Sequence, residues 1–511
     1  MSLQAAIQSA TAGLQLVAQQ ASVASRNVSN AGTPDYTVKR VTVESLAGGM
    51  VRAGDMTRQV DAALRAEARS VRGQSAQAEV RERAIVPLVA LHGAPGSADS
   101  ISGQMAALRD ELTGLRAQPA NVTEQRDALR AAGNLSEGLN ELAGGVARAR
   151  QSAQDELVQQ VDEANRLVRQ IARLDNEFQS SRAGGSADVQ ALDRRDAAIQ
   201  QLSELIDVTP TFGARDQVQL ILRGGYTLPL DPEKGPFSIN AATVTPDSFY
   251  GPPTGTRPAG TLPPLMLGDT DITNSTRSGK LGALIELRDS TLPRMQAELD
   301  VLASTLATRF DAQGLRLYVD GANPTAGPPD VTASTGYSGA VVGFAGRITV
   351  SSAVIAEPRL LRDGTHTATA TPFVPNPPSG PSGFTGLLDN LLNHAFGATA
   401  GPSGAAHPAS PTRNLGPGGD LASSFNPPAR LADHAVALTG AQAIMAAEAT
   451  TQLDESSASR TRINLLLQKR EGVDVDQQMA DLLQLQNAYA ANARVLSAVQ
   501  DMWDALLRSA R

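Results

Sequence analysis

Five histidines, His92, His366, His394, His407 and His434, are by residue type the best suited to acid–base or metal chemistry in this chain of 511 residues. None stands at metal-ligand spacing from another, and no His-Glu-x-x-His pair occurs. His394 lies on a short helix-like stretch and reads as a surface residue. There is no cysteine, which removes disulfides, thiolate nucleophiles and cysteine-based metal sites together. No P-loop, nucleophile elbow or dinucleotide fingerprint is present. The glycine-rich stretches carry prolines and no basic partner, so a phosphate cradle has no support. Asp474 and Asp476 flank Val475 at a helix start, where carboxylates cap free N–H groups and meet the positive end of the helix dipole. The residues predict no catalytic site, no metal and no cofactor, and the chain reads as a non-enzyme.

The composition points toward packing. Hydrophobic residues make up 41% of the chain but aromatics only 3%. Cores and contacts must therefore be built from Ala, Leu, Val and Ile, an alphabet that suits long helices laid side by side. The formal net charge is −8, with 44 Lys and Arg scattered among 52 Asp and Glu. Nucleic-acid binding, which uses a concentrated basic face, ranks low. The opening MSLQAAIQSATAGLQL lacks a basic region and a long apolar run, so neither a cleaved signal peptide nor a membrane span is expected. Absence of cysteine fits either chance or export in an unfolded state.

The elements that organise the chain are helices at both ends. Leu3, Ile7, Ala10, Leu14, Val17, Ala21, Ala24 and Val28 alternate at spacings of four and three, a heptad seam. An ordinary amphipathic helix is the competing reading; the 3.5-residue period favours coiled-coil packing. Near the C-terminus Val475, Leu482, Tyr489, Leu496 and Trp503 recur every seven residues, with Leu485, Val499 and Leu506 three further on. At about 1.5 Å per residue each end would span roughly 40 Å. The two ends are expected to pair with each other or with neighbouring subunits, and Tyr489 is expected to bury its ring near Leu14 and Val17.

Between the ends, one stripe from Leu142 to Phe178 predicts a long helix closed at Gly184–Gly185. A second helix covers Asp188–Ile206, with Leu192, Ile199, Leu202 and Leu205 inward and Pro210 as its stop. Pro87, Pro95 and Pro119 are expected to divide the preceding part into shorter helices. The period then changes. Val218, Leu220 and Leu222 alternate, Gly224–Gly225 follows, and Tyr226, Leu228 and Leu230 alternate again, a hairpin signal. Helix returns over Leu281–Phe310, with Pro293 marking a break or a new first turn after Ser290. A β-like run covers 341–350, and residues 371–430 are rich in Pro and Gly around a short helix at Phe384–Phe396. Helix resumes near Leu431 and continues, with a break at Glu471–Gly472, to the end.

Residues 27–40, NVSNAGTPDYTVKR, resemble the N-terminal signature of the flagellar rod, hook and hook-associated axial protein family, in which Asn, two residues, Asn and two residues precede Thr-Pro-Gly-Tyr. Asn27, Asn30, Thr33, Pro34 and Tyr36 match, and Asp35 stands where the family has Gly. Physically, Asn can cap the helix and Pro34 prevents its continuation. Asp35 disfavours a positive φ and predicts a type I turn. The stretch LLQLQNAYAANARVLS, Leu482 to Ser497, is similar to the family's closing helix. Leu192–Pro210 and Ser278–Phe310 resemble the hook-associated members, which form the junction between hook and filament. The resemblance covers about 1–320 and 431–511; residues 321–430 match weakly.

What the resemblance implies is a structural, self-assembling flagellar subunit, exported unfolded through the flagellar type III apparatus to the extracellular flagellum. It implies ring assembly with copies of itself, contact with the hook protein and the second hook–filament junction protein, and an export chaperone at the C-terminal region. It marks Asn27, Asn30, Thr33, Pro34 and Tyr36 as an assembly motif, and the heptad rows as an assembly seam. The expected fold is α+β multidomain: a terminal helical domain (1–60 plus 431–511), a long-helix domain (61–210 plus 277–320) and a β-rich, loop-rich outer domain (211–276 plus 321–430). A hook or rod protein is the nearest alternative, and an enzyme domain within 321–430 a more distant one.

Overall fold

The computed structural model describes residues 3–33, 35–45, 51–91, 93–94, 96–184, 188–253, 259–332, 334–368 and 371–509. Pro34, His92, Pro95 and Gly185 lie outside the described residues, as do the side chains of Leu3 and Leu506. The chain opens with α1 (Leu3–Ser29) and an antiparallel hairpin of β1 (Lys39–Ser45) and β2 (Val51–Arg58). Four helices follow: α2 (Ala62–Ala90), α3 (Ile101–Ala117), α4 (Val122–Ala183) and α5 (Val189–Leu205). Strands β3 (Val208–Phe212), β4 (Val218–Leu222) and β5 (Thr227–Leu228) form a three-stranded antiparallel sheet. Short strands β6 (Phe237–Ser238), β7 (Met266–Leu267) and β8 (Thr270–Asp271) come next. Then α6 (Gly279–Glu286) passes through a π-turn into α7 (Leu292–Ala312). Strand β9 (Tyr318–Asp320) pairs antiparallel with β10 (Ile348–Val350). Three single helical turns, α8 (Ser352–Ala356), α9 (Leu360–Asp363) and α10 (Gly386–Asn390), punctuate irregular chain, and α11 (Leu431–Glu471) and α12 (Val475–Ser509) close it. The architecture is α+β with long helices and small sheets.

Local rules explain where these elements begin and end. Asp188 accepts from the N–H groups of Gln190 and Ala191 to cap α5. Gly224 and Gly225 take φ of 100° and 85°, the paired left-handed geometry that turns β4 into β5. Pro293 sits in the first turn of α7, where its missing N–H is harmless, and the expected break is the π-turn Leu287–Thr291. Other positions correct the sequence reading. Pro87 does not divide a helix; it lies in the last turn of α2, where little helix remains to disrupt. Pro210 does not stop α5, which ends at Leu205; it occupies β3, an edge strand whose outer side has no ladder partner among the described residues. The run 341–350 is mostly 3₁₀ turns, with strand only at Ile348–Val350. The hairpin β1–β2 carries no strong alternation and was not expected.

Compactness groups the chain into two units: residues 1–76, 162–237 and 455–511, and residues 77–161 and 238–454. The three-part division expected above remains an organisational proposal beside this grouping. In the second unit α7 is buried along its length, and Phe310 packs edge-on against Tyr318 and Phe396 at centroid distances of 5.9 and 5.6 Å. With so few aromatics, such a cluster holds a large share of the available ring contact. Irregular chain is secured by buried polar side chains. Arg150 donates to the carbonyls of Thr245, Ser248 and Arg288. Asp300 accepts from the Tyr337 hydroxyl and the N–H groups of Gly343 and Ala345, each at 2.7 Å.

Burial pushes the Asp300 carboxyl up to about 6, outweighing the hydrogen bonds that favour its charged form. The folded state therefore holds this proton to higher pH than the unfolded state. The stability it contributes is fully present below about pH 4 and is lost as pH rises through about 6. Asp300→Asn should remove that dependence. In urea denaturation, the stability gap between the wild type and Asp300→Asn should be larger at pH 4 than at pH 7 by about 1–3 kcal/mol. A gap independent of pH would show that Asp300 ionises normally.

Candidate assembly interface

In the first unit α1 and α12 lie against each other. They run antiparallel: Gly13 faces Asn492, and Asn27 faces Gln478. A Cβ at Gly13 would stand 3.2 Å from the Asn492 amide nitrogen, so glycine there permits the close approach of the two helices. An adjoining side of α1 packs on the β1–β2 hairpin, where Leu16, Val23 and Val41 cluster with Val51, Ala53 and Met56.

The expected seam is partly the observed one. On α1, Val17 is buried with Ala10 and Ala24, while Ile7, Leu14 and Val28 are half-buried. On α12, Leu482 and Leu496 are half-buried. Val475, Tyr489 and Trp503 are exposed, with Tyr489 at 49% and Trp503 at 46%. The Tyr489 ring is thus not buried near Leu14 and Val17. The row that turns inward lies one step round the helix: Gln478 and Val499 are buried, and Leu485 and Asn492 half-buried. It also repeats every seven residues, but two of its members are polar. Apolar periodicity marked Leu485 and Val499 in this row but not its polar members, Gln478, which is satisfied by Asn27, and Asn492, which fits over Gly13.

Asn27 is the centre of the joint. It is 1% exposed and lies inside α1 rather than capping it. Its Nδ2 donates to the Lys39 carbonyl and to Gln478 Oε1, both at 2.9 Å. Its Oδ1 accepts from the Tyr36 hydroxyl at 3.0 Å and the Lys39 N–H at 3.2 Å. Both donors and both lone pairs of the amide are used. Asn30 donates back to the Arg26 carbonyl, and the Thr33 N–H to the Asn30 carbonyl, which turns the chain out of α1. Asp35 corrects the type I expectation. It takes φ of 58°, the left-handed conformation that Gly would supply, with its carboxylate 3.7 Å from Arg72. Asp tolerates this region better than most residues.

A buried charge network backs the joint. The Lys39 ammonium lies 3.5 Å from the centre of the Tyr36 ring and 2.6 Å from Asp193. Burial pushes the Lys39 ammonium's pKa down, opposed by Asp193. Arg58 bridges Asp193 and Asp196, at 2.9 and 2.8 Å. Arg65 joins Asp196 to Glu471, and Glu471 also accepts from the Asp61 N–H. For Arg65, burial is outweighed by these carboxylates and the guanidinium's pKa is raised. Asp193 and Asp196 sit on α5 inside the family-like stretch, but sequence reading singled out neither. Their partners come from segments more than a hundred residues away. Among the described residues no group of three His, Cys, Asp or Glu could hold a metal ion.

Comparison with known proteins matches two stretches of the chain. Residues 94–322 match the sequence model of the flagellar hook-associated protein FlgK helical domain. Residues 469–509, which include α12, match that of the flagellar basal body rod FlgEFG protein C-terminal segment. Among solved structures, the flagellar hook junction protein FlgK from Burkholderia pseudomallei is similar at 22% identity with a TM-score of 0.41. The match covers 50% of this chain and 45% of that one, so the chain spans less than half the length of this relative. No curated protein matches.

The joint makes a direct prediction. Asn27→Ala strands the Gln478 amide and the Lys39 backbone groups, and should cost about 2–4 kcal/mol in urea denaturation. Asn30→Ala, at a more exposed position of the same motif, should cost less than about 1 kcal/mol. Equal losses in the two variants would remove Asn27 from its central place.

Proposed function

For a chain that carries a flagellar hook-associated helical domain and a flagellar rod and hook C-terminal segment, we propose a structural role as a subunit of the junction between hook and filament. The supporting observation is the state of α12. One face is locked antiparallel to α1 through Asn27 and Gln478. Around it the same helix leaves Met479, Leu483, Tyr489, Val495, Met502 and Trp503 exposed. So many large apolar side chains left exposed along one helix mark contacts that a monomer does not satisfy. In this reading the α1–α12 pair is the assembly element, the motif from Asn27 to Tyr36 sets its geometry, and copies of the chain form a ring.

The same reading places the hook protein on one side and the second hook–filament junction protein on the other. The subunit leaves the cell through the flagellar export apparatus, attended by a chaperone at the C-terminal region, and performs no catalysis. Another axial protein of the hook or rod is the second reading. The helical domain at 94–322 favours the first, because that domain model belongs to the hook-associated proteins.

Motility tests the role. Deleting 475–511 should abolish incorporation and swimming while the second unit still folds. The triple variant Tyr489→Gln, Met502→Gln, Trp503→Gln should leave monomer stability within about 1 kcal/mol, since these side chains are already exposed. It should nevertheless be secreted without joining the flagellum. Full motility in both variants would overturn the proposal.

A further inference from the structure

The first unit also holds a cavity of about 700 Å³ that the assembly reading does not use. It lies among β2, the start of α2, the end of α4, α5 and β3. Its apolar wall includes Met56, Val60, Phe178, Leu192, Ile199 and Phe212. This volume is in the usual range for small-molecule sites, which are mostly apolar with few polar groups.

The charges on its wall are unevenly matched. Arg58 and Arg65 are held by Asp193, Asp196 and Glu471. Arg195 bonds Asp175 at 2.6 Å, and Arg182 stands 3.6 Å from Asp216. Arg69, one helical turn beyond Arg65, has neither an ion pair nor a side-chain hydrogen bond among the described residues, although it is only half-exposed. Burial lowers its pKa, with Asp196 opposing and Arg65 adding to the effect. Arg69 is thus the guanidinium on this wall that no carboxylate holds among the described residues, beside an apolar hollow.

We propose that this cavity binds an amphipathic organic carboxylate, with the carboxylate on Arg69 and the apolar body against Phe178, Ile199 and Phe212. A guanidinium presents a planar fork of donors that fits a carboxylate in two parallel hydrogen bonds. The charge selects for an acid and the aromatic and aliphatic wall for a hydrocarbon body. A neutral molecule of the same shape would gain only the second.

Dodecanoate, kept well below its micelle concentration, is the probe, titrated calorimetrically into the purified full-length chain. One saturable site per chain is expected. Arg69→Met keeps the apolar bulk and removes the charge, and should weaken dodecanoate about tenfold or more. Dodecanol should bind the wild type and Arg69→Met equally. Ala66→Trp, at an exposed position on the rim, should block both ligands while circular dichroism melting stays unchanged. If Arg69→Met folds poorly, the Ala66→Trp comparison decides alone. Absence of a saturable site, or dodecanoate binding unaltered by both substitutions, overturns the proposal; the latter would place the ligand on the exposed apolar face of α12.

Discussion

A buried side-chain amide has two donors and two lone pairs to satisfy, and Asn27 satisfies all four with groups from three segments. Much of the first unit depends on that constraint. The Lys39 backbone starts the hairpin, the Tyr36 hydroxyl holds the turn out of α1, and Gln478 begins the inward row of α12. An amide in a low-dielectric site is costly to leave unpaired, so these segments are specified together rather than one by one. Sequence separations of 9, 12 and 451 residues meet at one side chain.

The surrounding charges extend the same logic. Lys39, Arg58 and Arg65 alternate with Asp193, Asp196 and Glu471, and nearly all are sheltered from solvent. Buried ion pairs add little stability relative to apolar packing but penalise the loss of any one partner heavily. In a chain with 3% aromatics, such pairs supply directional contacts that rings supply elsewhere. They join α5, the segments around the hairpin and the end of α11, so the terminal helices leave a defined base. The second unit uses the same device, with Arg150 and Asp300 gathering backbone groups of irregular chain.

The divided character of α12 follows from this arrangement. Its inward row contains Gln478 and Asn492, whose partners Asn27 and Gly13 are fixed by α1. Its larger apolar residues are thereby left to the outside. A helix that buries Gln478 yet leaves Tyr489, Met502 and Trp503 exposed departs from the usual distribution for an isolated subunit.

The amino-acid sequence by itself determined the long helices, the Gly224–Gly225 hairpin, the break before Pro293 and the motif from Asn27 to Tyr36. These depend on local periodicity, on glycine's access to positive φ, on proline's missing N–H and on residue spacing, all of which are written in neighbouring residues. Tertiary structure alone decided which row of α12 turns inward. Two rows repeat every seven residues; folding buries Gln478 and Val499 of one and leaves Val475, Tyr489 and Trp503 of the other exposed. It also decided that Asp35 adopts the left-handed turn, where its carboxylate comes near Arg72, and that Asp193 and Asp196 meet Lys39, Arg58 and Arg65. In each case the residue's energy is set by a partner distant in the chain, and no local pattern carries information about a partner that only folding brings near.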